Sequence, residues 1–261
     1  MMDKQNFVLF ALSILIVSAF AYSGFPLLHA PRIKHLLEHG TSLNWAGYAV
    51  ETNLNSPQSG AVTDVKGSWK VPAVNCKSAP NAYSSFWIGI DGYSSSTVEQ
   101  IGTDSDCSSK KPRYYAWFEM YPAYPVNLNM KISPGDVMIA EVQYIGNNQF
   151  TLTITDTTTS SAFPTGQTFT ITQSLANAQR SSAEWIAEAP SIGASITNLA
   201  NFGTVYFTSS KATLNGHPGT ISDSAWQKDG ITMVATNGAI KAKPSVLSTY
   251  ESAFSVSWYH K

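Results

Sequence analysis

The chain has 261 residues and a formal net charge of −1, and only 13% of its residues are Asp, Glu, Lys or Arg. This charged share is about half of the usual value, so the surface must be built largely from uncharged polar side chains. With no basic stripe, the sequence offers no electrostatic basis for binding nucleic acid. The low charge suits an exported protein that works in acid, although Ser- and Thr-rich β proteins also carry few charges.

Residues 1–21 are predicted to be an export signal. Lys4 precedes an uncharged apolar run from Phe7 to Ala21, which ends in small residues of the kind that a signal peptidase accepts. Residues 22–28 could lengthen the run to about 20 residues, so an uncleaved membrane anchor is the alternative. Either form places the body of the protein outside the cytoplasm, secreted or anchored on the outer face of the cell membrane.

Residues 22–41 are predicted to be a linker or a short pro-segment, followed by one domain over residues 42–261. Within the segment, His35-Leu-Leu-Glu-His39 has the His-x-x-Glu-His form of some zinc peptidases. Three matching letters in a short segment with no helical domain after it are a weak signal. We therefore expect no metal site and no cofactor.

From residue 42 onward, strand-like runs alternate with turn residues. Apolar, aromatic and β-branched runs recur about every 8–15 residues, with Gly, Pro, Asn or Asp between most of them. The predicted strands are 45–50, 66–71, 84–90, 114–121, 137–145, 150–155, 168–171, 182–188, 204–207, 231–235 and 253–258. No long stretch keeps a helical period, so we predict an all-β fold, an antiparallel sandwich or barrel.

Two cysteines, Cys76 and Cys107, are predicted to form a disulfide, in keeping with export. Catalysis by histidine is not favoured, because three of the five histidines precede the predicted domain. These three are His29, His35 and His39.

Carboxylates beside aromatic residues are the better candidates for chemistry. The acids on or next to apolar strands are Asp91, Glu119, Glu184 and Glu188. The tryptophans near them are Trp45, Trp69, Trp87, Trp117 and Trp185, of which we expect some, Trp69 among them, to be core residues. Such a mixture suits a cleft for a polymer substrate. A glycosidase that uses Glu119 and Glu188, or a non-catalytic carbohydrate- or protein-binding module, would also fit.

Five sequence blocks, in order and at similar spacing, resemble the glutamic peptidases (eqolisins). The blocks are Asn44-Trp-Ala-Gly47, Trp87-Ile-Gly-Ile-Asp-Gly92, Glu99-Gln-Ile-Gly102, Trp117-Phe-Glu-Met-Tyr-Pro122 and Ala183-Glu-Trp-Ile-Ala-Glu-Ala-Pro190. The resemblance implies a concanavalin-like β-sandwich of two curved antiparallel sheets with a cleft on the concave face. It also implies an acid endopeptidase that acts on proteins or peptides. We expect the protein to be a monomer.

The same resemblance assigns the site residues. The catalytic pair would be Gln100 and Glu188, with Glu188 preferred to Glu184 because it is the second acid of its block. The substrate-binding residues would be Trp45, Trp87, Asp91, Trp117, Glu119 and Glu184. One departure concerns Tyr115, which stands where the family often has an acidic residue, and it is expected to alter the hydrogen bonding around Glu119.

Overall fold

The structure is a computed structural model that describes residues 26–34, 39–77 and 79–261. The predicted export signal and most of the His-x-x-Glu-His segment lie outside these residues. Nineteen β-strands are present in the described ranges. No helix there is long and apolar enough to cross a membrane.

The strands range from two to eleven residues in length. In chain order they are β1 Leu27–Leu28, β2 Thr41–Ser42, β3 Trp45–Glu51, β4 Val62–Lys70, β5 Ser85–Ile90, β6 Val98–Ser108, β7 Lys111–Tyr121, β8 Val126–Asn127, β9 Val137–Gly146, β10 Gln149–Asp156, β11 Gln167–Ser174, β12 Ser182–Glu188, β13 Ser191–Ile192, β14 Ser195–Ile196, β15 Thr204–Leu214, β16 His217–Thr220, β17 Gln227–Val234, β18 Ile240–Pro244 and β19 Phe254–Trp258.

Two antiparallel sheets form a sandwich, as predicted. The first sheet has the strand order β8-β7-β6-β5-β12-β3, and the second has the order β11-β10-β9-β4-β15-β19-β18. Strand β17 joins them, because it pairs with β3 over its first half and with β18 over its second. The short β2 is parallel to β17.

The core lies between the two sheets. Alternate residues of β5, such as Phe86 and Ile88, point into it and pack in one cluster with Met138 and other apolar residues of the second sheet. Trp69 is also there, and its indole nitrogen donates a hydrogen bond to Thr103 Oγ1 at 2.9 Å. The prediction that Trp69 is a core residue is confirmed, and Trp185 lies in the same core.

The other face of the first sheet, which we call the site face, carries a second apolar cluster. Its members are Trp45, Ala49, Trp87, Tyr93, Val98, Trp117, Ile186 and Ile231. The rings of Trp45 and Trp87 meet edge to face, with centroids 5.0 Å apart. The aromatic residues of the predicted cleft therefore do collect on one face, apart from the core.

Strand β6 was not among the predicted strands, although it is one of the longest. Its site-face positions include Gln100, Gly102 and Asp104, which are turn-forming or polar residues, whereas Ile101 packs into the core. The polar alternation therefore resembles a loop in sequence. The predicted disulfide is confirmed, since Cys76 is bonded to Cys107 near the end of β6.

Candidate active site

Four neighbouring strands, β12, β5, β6 and β7, arrange polar and aromatic side chains in rows across the site face. Read across these strands, the rows are Glu184-Gly89-Gln100-Glu119, Ile186-Trp87-Gly102-Trp117 and Glu188-Ser85-Asp104-Tyr115. Gly102 separates two tryptophans, and a Cβ atom there would lie 2.5 Å from the Cβ atom of Trp87. A glycine is therefore needed for the two rings to flank this position.

Glu188 is fully buried and receives two hydrogen bonds. The indole nitrogen of Trp87 donates to one carboxyl oxygen at 2.9 Å, and the amide of Asn44 donates to the other at 3.4 Å. Burial raises the pKa of Glu188 to about 8, and the charge of Glu119 adds to this, while His29 and Trp87 act in the opposite direction. A carboxyl group so placed can both accept and release a proton.

Gln100 is also fully buried and lies beside Glu119. Its amide nitrogen donates to Glu119 Oε2 at 3.3 Å and to the backbone carbonyl oxygen of His29 at 2.6 Å. Its amide oxygen is buried and accepts no hydrogen bond from the described protein atoms. No hydrogen bond joins Gln100 directly to Glu188 within the described part of the chain. They are linked through the segment that begins with His29: the carbonyl oxygen of His29 accepts from Gln100, and the carbonyl oxygen of Ala30 accepts from Asn44, which also donates to Glu188.

This segment, residues 29–31, lies across the site. The backbone nitrogen and Nδ1 of His29 are each 2.9 Å from Glu119 Oε2. The carbonyl oxygen of Ala30 accepts hydrogen bonds from Trp45 Nε1 at 3.0 Å and from Asn44 Nδ2 at 3.3 Å. Residues predicted to be a linker or pro-segment therefore occupy the site face.

His29 is a site residue that the sequence analysis missed. Its ring stacks on Trp117, with centroids 3.5 Å apart and an interplanar angle of 3°. Nε2 is 3.4 Å from Asp104 Oδ1. Burial lowers the pKa of His29, but Asp104 and Glu119 outweigh it and raise the pKa to about 10. Nothing in the local sequence around residue 29 marks this contact.

The model of the peptidase A4 family matches residues 43–257 of the chain. The chain belongs to this family. It is 29% identical to aspergillopepsin-2 from Aspergillus niger over 223 residues, which are 75% of this chain and 74% of that protein. The two rival interpretations, a glycosidase and a binding module, are thereby set aside.

Solved structures of peptidases share the fold of this A4 peptidase. A scytalido-glutamic peptidase with a transition state analog inhibitor aligns with a TM-score of 0.66 and 23% identity, over 83% of this chain and 98% of that one. The eqolisin SCP-B in complex with the tripeptide Ala-Ile-His aligns with a TM-score of 0.64 and 22% identity, over the same shares. Aspergilloglutamic peptidase from Aspergillus niger aligns with a TM-score of 0.57 and 27% identity, over 68% of this chain and 99% of that one. The protein is a glutamic-type endopeptidase.

In this A4 peptidase, six of the predicted site residues share one environment and two do not. Those brought together are Gln100, Glu188, Trp45, Trp87, Trp117 and Glu119. Asp91 has a positive φ of 72° and accepts hydrogen bonds from the backbone nitrogens of Arg180 and Ser181. It is thus used to hold the chain before β12.

Glu184 lies in a second acidic group. Burial raises its pKa well above the ordinary range, and the nearby carboxylates of Asp91, Glu51 and Glu99 raise it further. Glu188 is instead surrounded by His29, Glu119 and Asp104. The structure therefore separates the two acids that the sequence could not distinguish without the family pattern.

Tyr115 holds Asp104 in place. The Tyr115 hydroxyl oxygen is 2.8 Å from one oxygen of Asp104 and 2.8 Å from one of Asp106, and Trp117 Nε1 donates to the other Asp104 oxygen at 2.6 Å. A hydroxyl has a single proton. Burial and the charge of Asp104 raise the pKa of Asp106, which fits a protonated Asp106 that donates to Tyr115 while Tyr115 donates to Asp104.

No cluster of three or more His, Cys, Asp or Glu residues in the described ranges is arranged to hold a metal ion. The polar groups on the site face include side-chain carboxyl groups, amides, indole nitrogens, the Tyr115 hydroxyl and the His29 imidazole.

Proposed function

We propose that this peptidase hydrolyses peptide bonds in acid, with Glu188 as the general base and Gln100 as the donor to the oxyanion. One observation carries the proposal. A peptide carbonyl oxygen of the chain itself, that of His29, lies 2.6 Å from the amide nitrogen of Gln100 on the site face. This is the contact that a substrate carbonyl would need.

Gln100 is suited to the developing charge. When water attacks a peptide carbonyl, negative charge collects on the carbonyl oxygen, and a fixed N–H donor in a water-poor site stabilises it. Because the donor is a neutral amide, it does not compete with Glu188 for a proton, as a second carboxyl group would.

Glu188 supplies the proton transfers. In its ionised form it takes a proton from water as the oxygen of that water bonds to the carbonyl carbon. It then gives the proton to the amide nitrogen as the carbon–nitrogen bond breaks. Burial raises the pKa of Glu188 most, and residues 29–31 lie on the site face next to Asn44, which donates to Glu188. With the cleft open to water, that pKa returns towards the ordinary glutamate range, so both forms are populated in acid.

Export and a monomeric state are part of the same proposal. The bond between Cys76 and Cys107 supports an oxidising compartment, in line with secretion or attachment to the outer face of the membrane. We also expect the enzyme to act as a monomer. Peptides are the expected ligands, since SCP-B is described with a bound tripeptide.

The test compares wild type, Glu188→Gln and Gln100→Ala on a denatured protein substrate at about pH 2–5. We expect turnover to fall by about a thousandfold or more for Glu188→Gln, and by about a hundredfold to a thousandfold for Gln100→Ala. Near-wild-type turnover of Glu188→Gln would contradict the assignment.

Glu184→Gln is the matched comparison, since Glu184 is also a buried glutamate of β12. Its raised pKa keeps it protonated in acid, where glutamine has nearly the same shape and charge. We expect this variant to retain at least about half of the wild-type turnover. Complete loss of activity in Glu184→Gln alone would transfer the catalytic role to Glu184.

A further inference from the structure

Strand β11 forms an open edge of the second sheet. Among the described strands it pairs with β10 alone, in an unbroken antiparallel register along its eight residues. Edge strands are usually protected from further pairing by charged residues, proline or a bulge. The sequence of β11, Gln-Thr-Phe-Thr-Ile-Thr-Gln-Ser, contains no charged residue and no proline, and its register with β10 has no bulge. This edge can therefore accept a further strand.

The open edge presents the backbone groups of three threonines. The backbone nitrogen of Leu175 donates to the carbonyl oxygen of Asn148 at 2.9 Å, which makes these two residues a hydrogen-bonded pair. Hydrogen-bonded and non-hydrogen-bonded pairs alternate along an antiparallel ladder. In the register of β10 and β11, odd-numbered residues of β11 therefore turn their backbone groups to β10, and even-numbered residues turn theirs outward. The outward ones include Thr168, Thr170 and Thr172.

The side chains of β11 suit a further strand on both faces of the sheet. On the outer face, the hydroxyl oxygens of Thr168, Thr170 and Thr172 lie 3.0, 3.1 and 3.4 Å from those of threonines in β10. On the inner face, Phe169 and Ile171 are only partly buried and pack against the core. An added strand would bury more of these two apolar side chains.

This edge lies on the same side of the sandwich as the active-site strand β7. The ring of Phe169 stacks on that of Phe118 in β7, with centroids 6.2 Å apart. Phe118 stands between Trp117 and Glu119, whose side chains lie on the site face. Packed sheets are about 10 Å apart, and an extended chain advances about 3.3 Å per residue. About ten residues would thus carry a chain from β11 round the edge of the first sheet to Gln100.

We propose that residues 168–174 of β11, which we call the β11 edge, are an exosite that binds an extended segment of the polypeptide substrate by strand addition. Another segment of the same substrate occupies the active site. An unfolded polypeptide offers free backbone N–H and C=O groups, and pairing through the backbone tolerates many side chains. The inference goes beyond the proposed function, because it requires cleavage of polypeptides but not the assignment of Gln100 and Glu188.

Charge favours the same partner. In acid, the carboxyl groups of a substrate are largely protonated while its Lys, Arg and His side chains stay charged, so the substrate is cationic. Strands β10 and β11 contain no Lys or Arg, and their one ionisable residue is the acid Asp156. The lysine that commonly protects an edge strand would repel such a substrate, and it is missing from this one.

The test compares an unstructured peptide of about 40 residues with one of about eight residues that has the same central cleavage sequence. Only the longer peptide can reach both sites, so its KM should be the lower of the two. Thr170→Pro removes an outward N–H and leaves the hydrogen bonds to β10 in place. We expect it to raise KM for the long peptide about tenfold, with kcat unchanged and with both constants for the short peptide unchanged.

Thr170→Val is the matched control, because valine keeps the backbone N–H and the β-branched shape. It should follow wild type with both peptides, and the melting temperature of each variant shows that it is folded. An unchanged KM for the long peptide in folded Thr170→Pro would overturn the exosite. An equal rise of KM in Thr170→Val would overturn pairing through the backbone.

Hydrogen exchange tests the same contact without a substitution in β11. With the long peptide bound to Glu188→Gln, the backbone amides of Thr168, Thr170 and Thr172 should exchange more slowly, whereas the short peptide should leave them unchanged. Equal exchange with and without the long peptide would contradict the exosite. If Glu188→Gln still cleaves the peptides, the catalytic assignment is wrong, and the KM values of wild type and Thr170→Pro still decide the exosite.

A second copy of the chain is the competing occupant of the β11 edge. Sedimentation of wild type without substrate should give the mass of one chain at the concentration of the assay. A dimer that Thr170→Pro dissociates would show that the edge pairs two copies, and it would overturn the substrate exosite.

Discussion

The protonation of Glu188 depends on donors supplied by neighbouring residues. Trp87 Nε1 donates to the carboxyl group at 2.9 Å and comes from β5, the strand next to Glu188. A hydrogen bond to the charged form lowers a carboxyl pKa, and this one opposes the effect of burial. The pH range in which the enzyme is active therefore depends in part on the indole of Trp87, which need not touch the substrate.

Trp87→Phe removes this donor and keeps most of the ring volume. The pKa of Glu188 should rise, so the acidic limb of the profile of kcat/KM against pH should move upward by about one pH unit. Trp226→Phe is the control, since the indole nitrogen of Trp226 donates to the carbonyl of Ile221 away from the site. An acidic limb that stays in place in Trp87→Phe would show that the indole has no influence on the ionisation of Glu188.

The strands differ in how well their sequences reveal them. Strand β12 was predicted with its observed bounds, Ser182–Glu188, because it contains a short apolar run, Trp185-Ile-Ala187, flanked by two acids. Strand β6 was missed, although it carries Gln100, because its site-face residues are those of a polar turn. Local patterns report the core face of a strand, and in β6 the polar residues of the site face mask that signal.

The site shows the same limit. Strand alternation alone placed Glu184 and Glu188 on one face, and only the family resemblance chose Glu188. The contact of His29 with Glu119 spans 90 positions in the sequence. It depends on the path of the whole chain, so no local spacing could have predicted it.

The disulfide fixes the end of the strand that the site most depends on. It closes a loop with a sequence separation of 31 between Cys76 and Cys107, the last but one residue of β6. A loop of this size is expected to add about 3–4 kcal/mol to the free energy of unfolding. Strand β6 also carries Gln100 and Asp104, so this stability bears on the site.

The double substitution Cys76→Ser and Cys107→Ser should therefore lower the free energy of unfolding by about 3–4 kcal/mol, as measured by denaturation with urea in acid. Wild type treated with a reductant should approach the same value, while the double variant should not respond to the reductant. A wild type that loses no stability on reduction would show that packing alone holds the end of β6.

Across the whole molecule, buried carboxyl groups are concentrated in the first sheet. Burial raises the pKa of Glu51 to about 7 and that of Glu188 to about 8, and it raises those of Glu99 and Glu184 well above the ordinary range. Elsewhere in the described chain, opposite charges meet in few ion pairs, such as Lys66 with Glu141. The first sheet therefore buries carboxyl groups that are protonated and uncharged in acid, the state in which their burial costs least.

Stability should therefore fall as the pH rises. Between about pH 4.5 and 7, these glutamates are protonated in the folded state and ionised in the unfolded chain, so each lowers the free energy of unfolding by about 1.4 kcal/mol per pH unit. Glu51 stops contributing near its folded pKa of about 7, whereas His29, with its pKa raised to about 10, adds a further loss of stability above about pH 6.5.

Calorimetry of wild type should show a melting temperature that decreases steadily across this range. The melting temperature of Glu184→Gln should decrease less steeply because its glutamine cannot ionise. Glu251→Gln, at an exposed side chain, should follow wild type. A melting temperature that stays level or increases from pH 4.5 to 7 would mean that these carboxyl groups ionise in the folded state without cost.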